Sequence, residues 1–190
     1  MRKKSYDDIY NFYCGNGRDM YGRTFEEIIS KSNVWMEFHH TFIQRLFPLD
    51  EPSGADETAP VLTEELVKKM RMNPKAIQRM KKAFTRMMKL YGFQVIYGMA
   101  DNKIENVISH RKWHYWITFN NHNYKRISRI LKSLRLMGLN EEAEKFFVVL
   151  ENLYNSYSFV IGKKAYSYWC ATGVQQNSVL LKEEKYANSK

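Results

Sequence analysis

The segment from Asn73 to Gly92 constrains this chain more than any other. Asn73-Pro74 reads as a helix start, with asparagine as the cap and proline at the first helical position, where its missing N–H costs nothing. Ile77, Met80, Phe84, Met87, Met88 and Tyr91 then recur at spacings of three and four. That is one apolar stripe on an amphipathic helix. Gly92 supplies the stop. A stripe of this length has to be buried, and the sequence offers mainly other helices to bury it.

A second such helix opens at Asn120-Asn121-His122-Asn123 and places Ile127, Ile130, Leu131 and Leu134 on one face. Gly138 ends it, with Leu139 positioned for the usual hydrophobic contact. Asn140 restarts a helix through Phe146, Phe147 and Leu150, and Ser156-Tyr157-Ser158 breaks it. A last helix covers Lys163 to Thr172. Nearer the start, Gly15, Gly17 and Gly22 mark a loop, and Thr24 with Glu27 forms a capping box ahead of a short helix. Asn33 is expected to cap one helix carrying Trp35, Met36, His39, Phe42, Ile43 and Leu46 up to Pro48. Thr63 caps another short one. Leu49 to Pro60 is a loop of about a dozen residues, long enough to mark a functional loop. Phe93 to Tyr97 reads as a short strand or extended chain, followed by a helix around Ile108 to Tyr115.

The expected fold is therefore all-α: a single compact domain of about seven helices centred on the two long ones. It should span residues 1–181, leaving 182–190 as a polar C-terminal tail. Hydrophobic residues at 44% and aromatics at 15% are enough for a real core. The polar start after Met1 argues against a signal peptide, and no apolar run approaches a membrane span. Cys14 and Cys170 are too few for a disulfide framework or a cysteine-rich zinc site. A reducing, cytoplasmic setting is the simplest expectation.

The net charge of +10 implies an acidic partner (nucleic acid, an anionic membrane surface or an acidic protein) or simply a well-solvated surface. Nine basic residues and no acidic one fall between Lys68 and Lys89. Lys75, Arg79, Lys82 and Arg86 on that helix, with Lys125 and Lys132 on the later one, are the candidates for a phosphate-tracking face. The competing reading is a solvated helix surface without any recognisable base-reading module.

Glu37 and His40 form Glu-x-x-His, a pair sharing one helical face. Di-iron bundles use that pair twice with two further glutamates; it occurs once here. His110 and His114 are also spaced for a metal, without a third ligand. No metal or cofactor is therefore expected. Serine-nucleophile, phosphate-loop and dinucleotide glycine patterns are absent. Trp113, Trp116, Phe119 and Tyr124 read as core packing, or as a base-stacking platform. Arg126 falls beside the apolar face. If its head group is desolvated it needs an anionic partner, and Glu37 is the obvious one.

Two stretches carry a resemblance. Glu37-Phe38-His39-His40-Thr41-Phe42-Ile43-Gln44-Arg45-Leu46-Phe47-Pro48 resembles the E-x-x-H-x-(Y/F)-I-Q-x-L-F-P stretch of the opioid growth factor receptor conserved domain. Asn121-His122-Asn123-Tyr124-Lys125-Arg126-Ile127 and its continuation to Leu134 is similar to that family's second signature, with Ser128 where threonine is usual. Leu90-Tyr91-Gly92 is similar to the F-Y-G end of the intervening helix. The glycine-rich opening and Ser167-Tyr168-Trp169 resemble compact bacterial members, which implies a form without the C-terminal repeats of the animal proteins. The resemblance implies receptors for an enkephalin peptide, nuclear or perinuclear in a eukaryote, and attaches no catalytic mechanism to the domain.

The expected function is a non-enzymatic binding module for a peptide or anionic ligand. Its candidate site joins Glu37, His40 and Gln44 to Asn121, His122, Asn123, Arg126 and Arg129. Backbone N–H groups at the helix start and a bidentate Arg126 would meet the anion. A buried polar network locking two helices together is the alternative meaning of the same residues. Nucleic-acid association and an enzyme using Glu37 and His40 as acid and base are the two other functions these residues allow.

Overall fold

A computed structural model describes residues 7–15, 17–98, 102–106 and 115–173. Residues 108–114 of the helix expected around Ile108 to Tyr115, with His110, Trp113 and His114, and the tail boundary at 181/182 lie outside the described residues. Among the described residues there are nine helices and one two-stranded sheet, so the chain is mostly helical without being strictly all-α.

The helix that most constrains the fold is α6, Pro74–Tyr91. The Asn73 side chain accepts from Lys75 N and Ala76 N, and Gly92 closes the helix in the left-handed region at φ 90°. Its stripe of Met80, Phe84, Met87, Met88 and Tyr91 is buried. Three elements cover α6 from the N-terminal side: α1 (Asp7–Cys14), α2 (Phe25–Ile29) and α5 (Glu64–Arg71). Helix α1 has no counterpart among the expected helices, although its Ile9, Phe12 and Tyr13, spaced by three and four, are buried. The Thr24–Glu27 capping box on α2 and the Thr63 cap on α5 form as expected.

Gly92 also starts a hairpin. Strand β1 (Phe93–Tyr97) pairs antiparallel with β2 (Asn102–Asn106), with Phe93 opposite Asn106 and Tyr97 opposite Asn102. The hairpin packs on α6 and α8.

The second half is a three-helix layer of α7 (Asn123–Leu136), α8 (Asn140–Ile161) and α9 (Lys163–Gly173). Gly138 takes φ 78°, and Leu139 N returns to Leu134 O at 2.9 Å, closing α7 as the sequence predicts. The break expected near Ser156–Ser158 is a kink at Tyr157, where φ −130° and ψ 27° leave the helical region. Phe84 of α6 meets Phe146 of α8 edge-to-face at 5.7 Å, joining the two halves through one core. Trp116 and Tyr124 are core residues, Trp116 donating to Tyr91 O. Phe119 is exposed and packs on Phe159.

One expected helix is broken. The Trp35–Leu46 stretch folds as α3 (Asn33–Phe38) and the single turn α4 (Ile43–Leu46), capped at Ser32 rather than Asn33. His39 takes an extended conformation, φ −103° and ψ 134°. The period still marks burial, since Met36, Phe42, Ile43 and Leu46 are all inside. The break survives because another helix supplies partners for the carbonyls it releases.

Gly92→Ala should lower stability by about 1 kcal/mol, because a Cβ in the left-handed region is sterically penalised. Chemical denaturation of the two proteins measures this.

Candidate functional site

The polar edge of α7 runs along the broken segment 36–48. Asn123, Arg126, Arg129 and Ser133 recur at three- and four-residue spacings, so their side chains leave the helix on one side. Asn123 is fully buried, and its Nδ2 donates to both Glu37 oxygens at 3.1 and 3.2 Å. Arg126 is 5% exposed. Its Nη1 donates to Met36 O at 3.0 Å and Asn123 Oδ1 at 3.2 Å. Its Nη2 donates to His39 O at 2.8 Å and meets His40 Nδ1 at 3.0 Å. Further along, Arg129 Nη1 donates to Phe47 O at 3.1 Å and Ser133 Oγ to Pro48 O at 2.9 Å.

Helix ends leave carbonyls without intrahelical partners, and a cation is favoured there. Arg126 fills that role at the end of α3. The expected Arg126–Glu37 pairing is thus replaced by contacts to the backbone and His40. Glu37 instead accepts from Asn123, and its Oε1 lies 3.4 Å from His122 Nε2 without hydrogen-bond geometry. Arginine only donates, so His40 Nδ1 accepts and the imidazole proton sits on Nε2.

Beside this ladder lies a groove of about 630 Å³. From the expected site it is lined by His40, Gln44, His122, Arg126 and Arg129, and Lys125 and Lys132 line it too. Glu37, Asn121 and Asn123 are not in its lining. Asn121 caps α7, its Oδ1 accepting from Asn123 N at 2.9 Å while its Nδ2 donates to Thr118 Oγ1. The long 49–60 loop forms one wall through Leu49, Glu51 and residues 53–55, and α9 contributes Tyr168 and Thr172. The loop's length was the signal for Glu51, the Ser167-Tyr168-Trp169 resemblance marked Tyr168 without giving it a role, and nothing in the sequence pointed to Thr172.

The groove is basic and partly self-compensated. Lys132 Nζ lies 2.9 Å from Glu51 Oε2 and 3.2 Å from Asp50 Oδ1. Burial pulls the Lys132 pKa down, but these carboxylates outweigh it and leave it raised. Burial lowers the Arg129 pKa, with Glu51 and Asp56 opposing. Both terminal nitrogens of Arg126 are engaged by the protein, so direct contact with a ligand falls to Lys125, Arg129 and Lys132. Gln44 is 4% exposed, and its Oε1 has no hydrogen-bond partner.

The Glu37–His40 acid–base arrangement does not form: His40 faces the groove, whereas Glu37 lies behind it on Asn123. Among the described residues no three of His, Cys, Asp or Glu gather to hold a metal ion.

The expected phosphate-tracking face divides. Arg79 donates to Phe12 O and Tyr13 O at the end of α1. Arg86 donates to Ile29 O and Lys31 O at the end of α2. Lys82 lies 3.9 Å from Glu26, and Lys75 is exposed. Lys82 and Arg86 border a separate hollow of about 480 Å³, while Lys125 and Lys132 belong to the groove.

The two stretches joined by α7 are the ones that carried the resemblance. The model of the opioid growth factor receptor (OGFr) conserved region matches residues 8–187. The chain belongs to the opioid growth factor receptor family. Opioid growth factor receptor-like protein 1 of Mus musculus is 34% identical over 122 residues, covering 60% of this chain and 24% of that protein. The Xenopus tropicalis protein of the same name is 30% identical over 123 residues, 62% of this chain and 23% of its own. The opioid growth factor receptor of Homo sapiens is 32% identical over 104 residues, 55% of this chain and 15% of its own. The chain thus matches less than a quarter of these family members. No solved structure matches it.

Two outcomes follow for this family member. Arg126→Met should lower unfolding stability by about 3 kcal/mol, since the buried Met36 O and Asn123 Oδ1 and the part-buried His39 O lose a charged donor at once; denaturant titration reads this. The second concerns pH. Burial first, then Arg126, pushes the His40 and His122 pKa values below the ordinary 6.5, against the opposing pull of Glu37. The native state then holds these protons more weakly than the unfolded chain, so stability is complete above about 6.5 and declines as pH falls below it. Denaturation midpoints across that range should show the decline, and His122→Gln should flatten it.

Proposed function

We propose that this chain is a non-enzymatic binding module whose groove between α7, α9 and the 49–60 loop takes an anionic ligand. The observation that carries the reading is the convergence of Lys125, Arg129 and Lys132 on one concavity of ligand size. A rigid ladder behind that concavity supports it, because a site held by buried hydrogen bonds loses little freedom on binding. Lys132 is engaged by Asp50 and Glu51, and an incoming anion competes with them for it. The relatives' names describe receptors for an opioid growth factor. A peptide bearing carboxylates is a ligand of that kind whose charge suits this groove. Membership of this family, with no helix among the described residues long and apolar enough to cross a membrane, fits action in the cytoplasm or around the nucleus.

Nucleic-acid association draws less support, since Arg79 and Arg86 are held in capping contacts and the remaining lysines sit on separate surfaces. An acid–base enzyme draws less still, since Glu37 does not reach the groove.

Titration with an oligo-glutamate peptide tests the reading. Binding should weaken steeply with added salt. Lys125→Ala and Lys132→Ala should each weaken it several-fold while the melting temperature of Lys125→Ala holds, because Lys125 is exposed. Absence of binding at low salt, or tighter binding of single-stranded DNA that survives both substitutions, contradicts the proposal.

A further inference from the structure

The groove carries one polar atom that a simple anion does not explain. Gln44 lies on α4 between His40, which meets Arg126, and Phe47, whose carbonyl meets Arg129. It lines the groove, is 4% exposed, and its Oε1 accepts no hydrogen bond. A buried acceptor without a donor costs free energy that a ligand's N–H or O–H would recover. Glu51 adds a second acceptor to the same lining. The groove therefore combines cations, which attract an oxyanion, with acceptors, which repel its bare oxygens.

An oxyanion that keeps a proton satisfies both. Phosphate near neutral pH retains at least one O–H, which can be donated to Gln44 Oε1 while its other oxygens accept from Arg129 and Lys125. Sulfate has the same shape and no proton to give. Set against the same acceptor, it leaves lone pair facing lone pair.

We propose that the groove selects hydrogenphosphate over fully deprotonated oxyanions, and that Gln44 sets this choice. The inference rests on the anionic-ligand reading of the groove. A site built to accept a ligand's O–H rejects the analogue that lacks it, because its own polar atom is then left unpaired.

The test is calorimetric titration of the full chain near neutral pH with inorganic phosphate, with sulfate and with phenyl phosphate. Phosphate should bind at least about tenfold more tightly than sulfate, the difference expected from one buried hydrogen bond. Gln44→Met and Gln44→Leu should bring the two affinities together by weakening phosphate, with sulfate unchanged or tighter and the circular dichroism spectrum retained. Phenyl phosphate, whose second pKa of about 6 leaves it largely without an O–H near neutral pH, should bind more weakly than inorganic phosphate; tighter binding overturns the role given to the proton. Equal affinities for phosphate and sulfate in the parent protein overturn the inference. So does a preference that survives both substitutions. If both anions bind equally but weaken on Lys125→Ala, the anion reading stands and only the selectivity falls. If neither binds, both fall together.

Discussion

The arrangement depends on one guanidinium in the wrong place for a surface charge. Arg126 is buried, and it holds the point where the helix carrying the Glu-x-x-His motif comes apart. A helix broken at His39 leaves carbonyls without intrahelical partners. Arg126 satisfies Met36 O and His39 O together and fixes His40 by its ring nitrogen. Its aliphatic and aromatic surroundings add a contact over the Phe42 ring at 5.4 Å. Phe42 then caps the next turn, and α4 brings Gln44 to the groove. The Asn123–Glu37 contact on one side and the Arg129 and Ser133 contacts on the other extend the same principle along α7.

Arginines do this work throughout the molecule. Arg71 donates to Leu136 O and Arg135 O at the end of α7. Arg79 and Arg86 close α1 and α2, and Arg135 reaches Gly173 O at the end of α9. Several of the charges behind the net +10 are thus internal fittings of a fold made of short, frequently interrupted helices. A planar, always-charged fork suits that task better than an ammonium group. The charge left over for a partner is smaller and more local than the composition suggests. At the groove lysines remain, and Arg129 keeps donors beyond the one given to Phe47.

Much of this was legible because helix punctuation is chemical. Asn73-Pro74, the Thr24–Glu27 box, Gly92 and Gly138 each settle a backbone position by themselves, and each stands where the sequence put it. The break at His39 was not legible: the apolar period continues through it, and only the contacts from α7, some ninety residues away, decide that the helix stops. The hairpin was half legible, since Phe93–Tyr97 showed extended chain but nothing named its partner strand. At the site, the convergence of the Glu37–Gln44 and Asn121–Arg129 stretches was anticipated. The division of labour within it was not. Asn123, Arg126 and Glu37 lie in the supporting ladder, whereas Lys125 and Lys132, first considered for nucleic acid, line the groove. Side-chain direction over a few ångströms makes that difference, and spacing along the chain does not encode it.

Hydrogen exchange resolved by residue gives the most direct test of the central claim, that α7 supplies the hydrogen bonds holding segment 36–48 in its broken form. Replacing Arg126 by methionine should release protection at the amides of Arg45, Leu46 and Phe47 while those of α6 remain slow. Unchanged protection at these amides, or loss spread evenly over α6 and α8, would show that the segment holds its shape without the arginine.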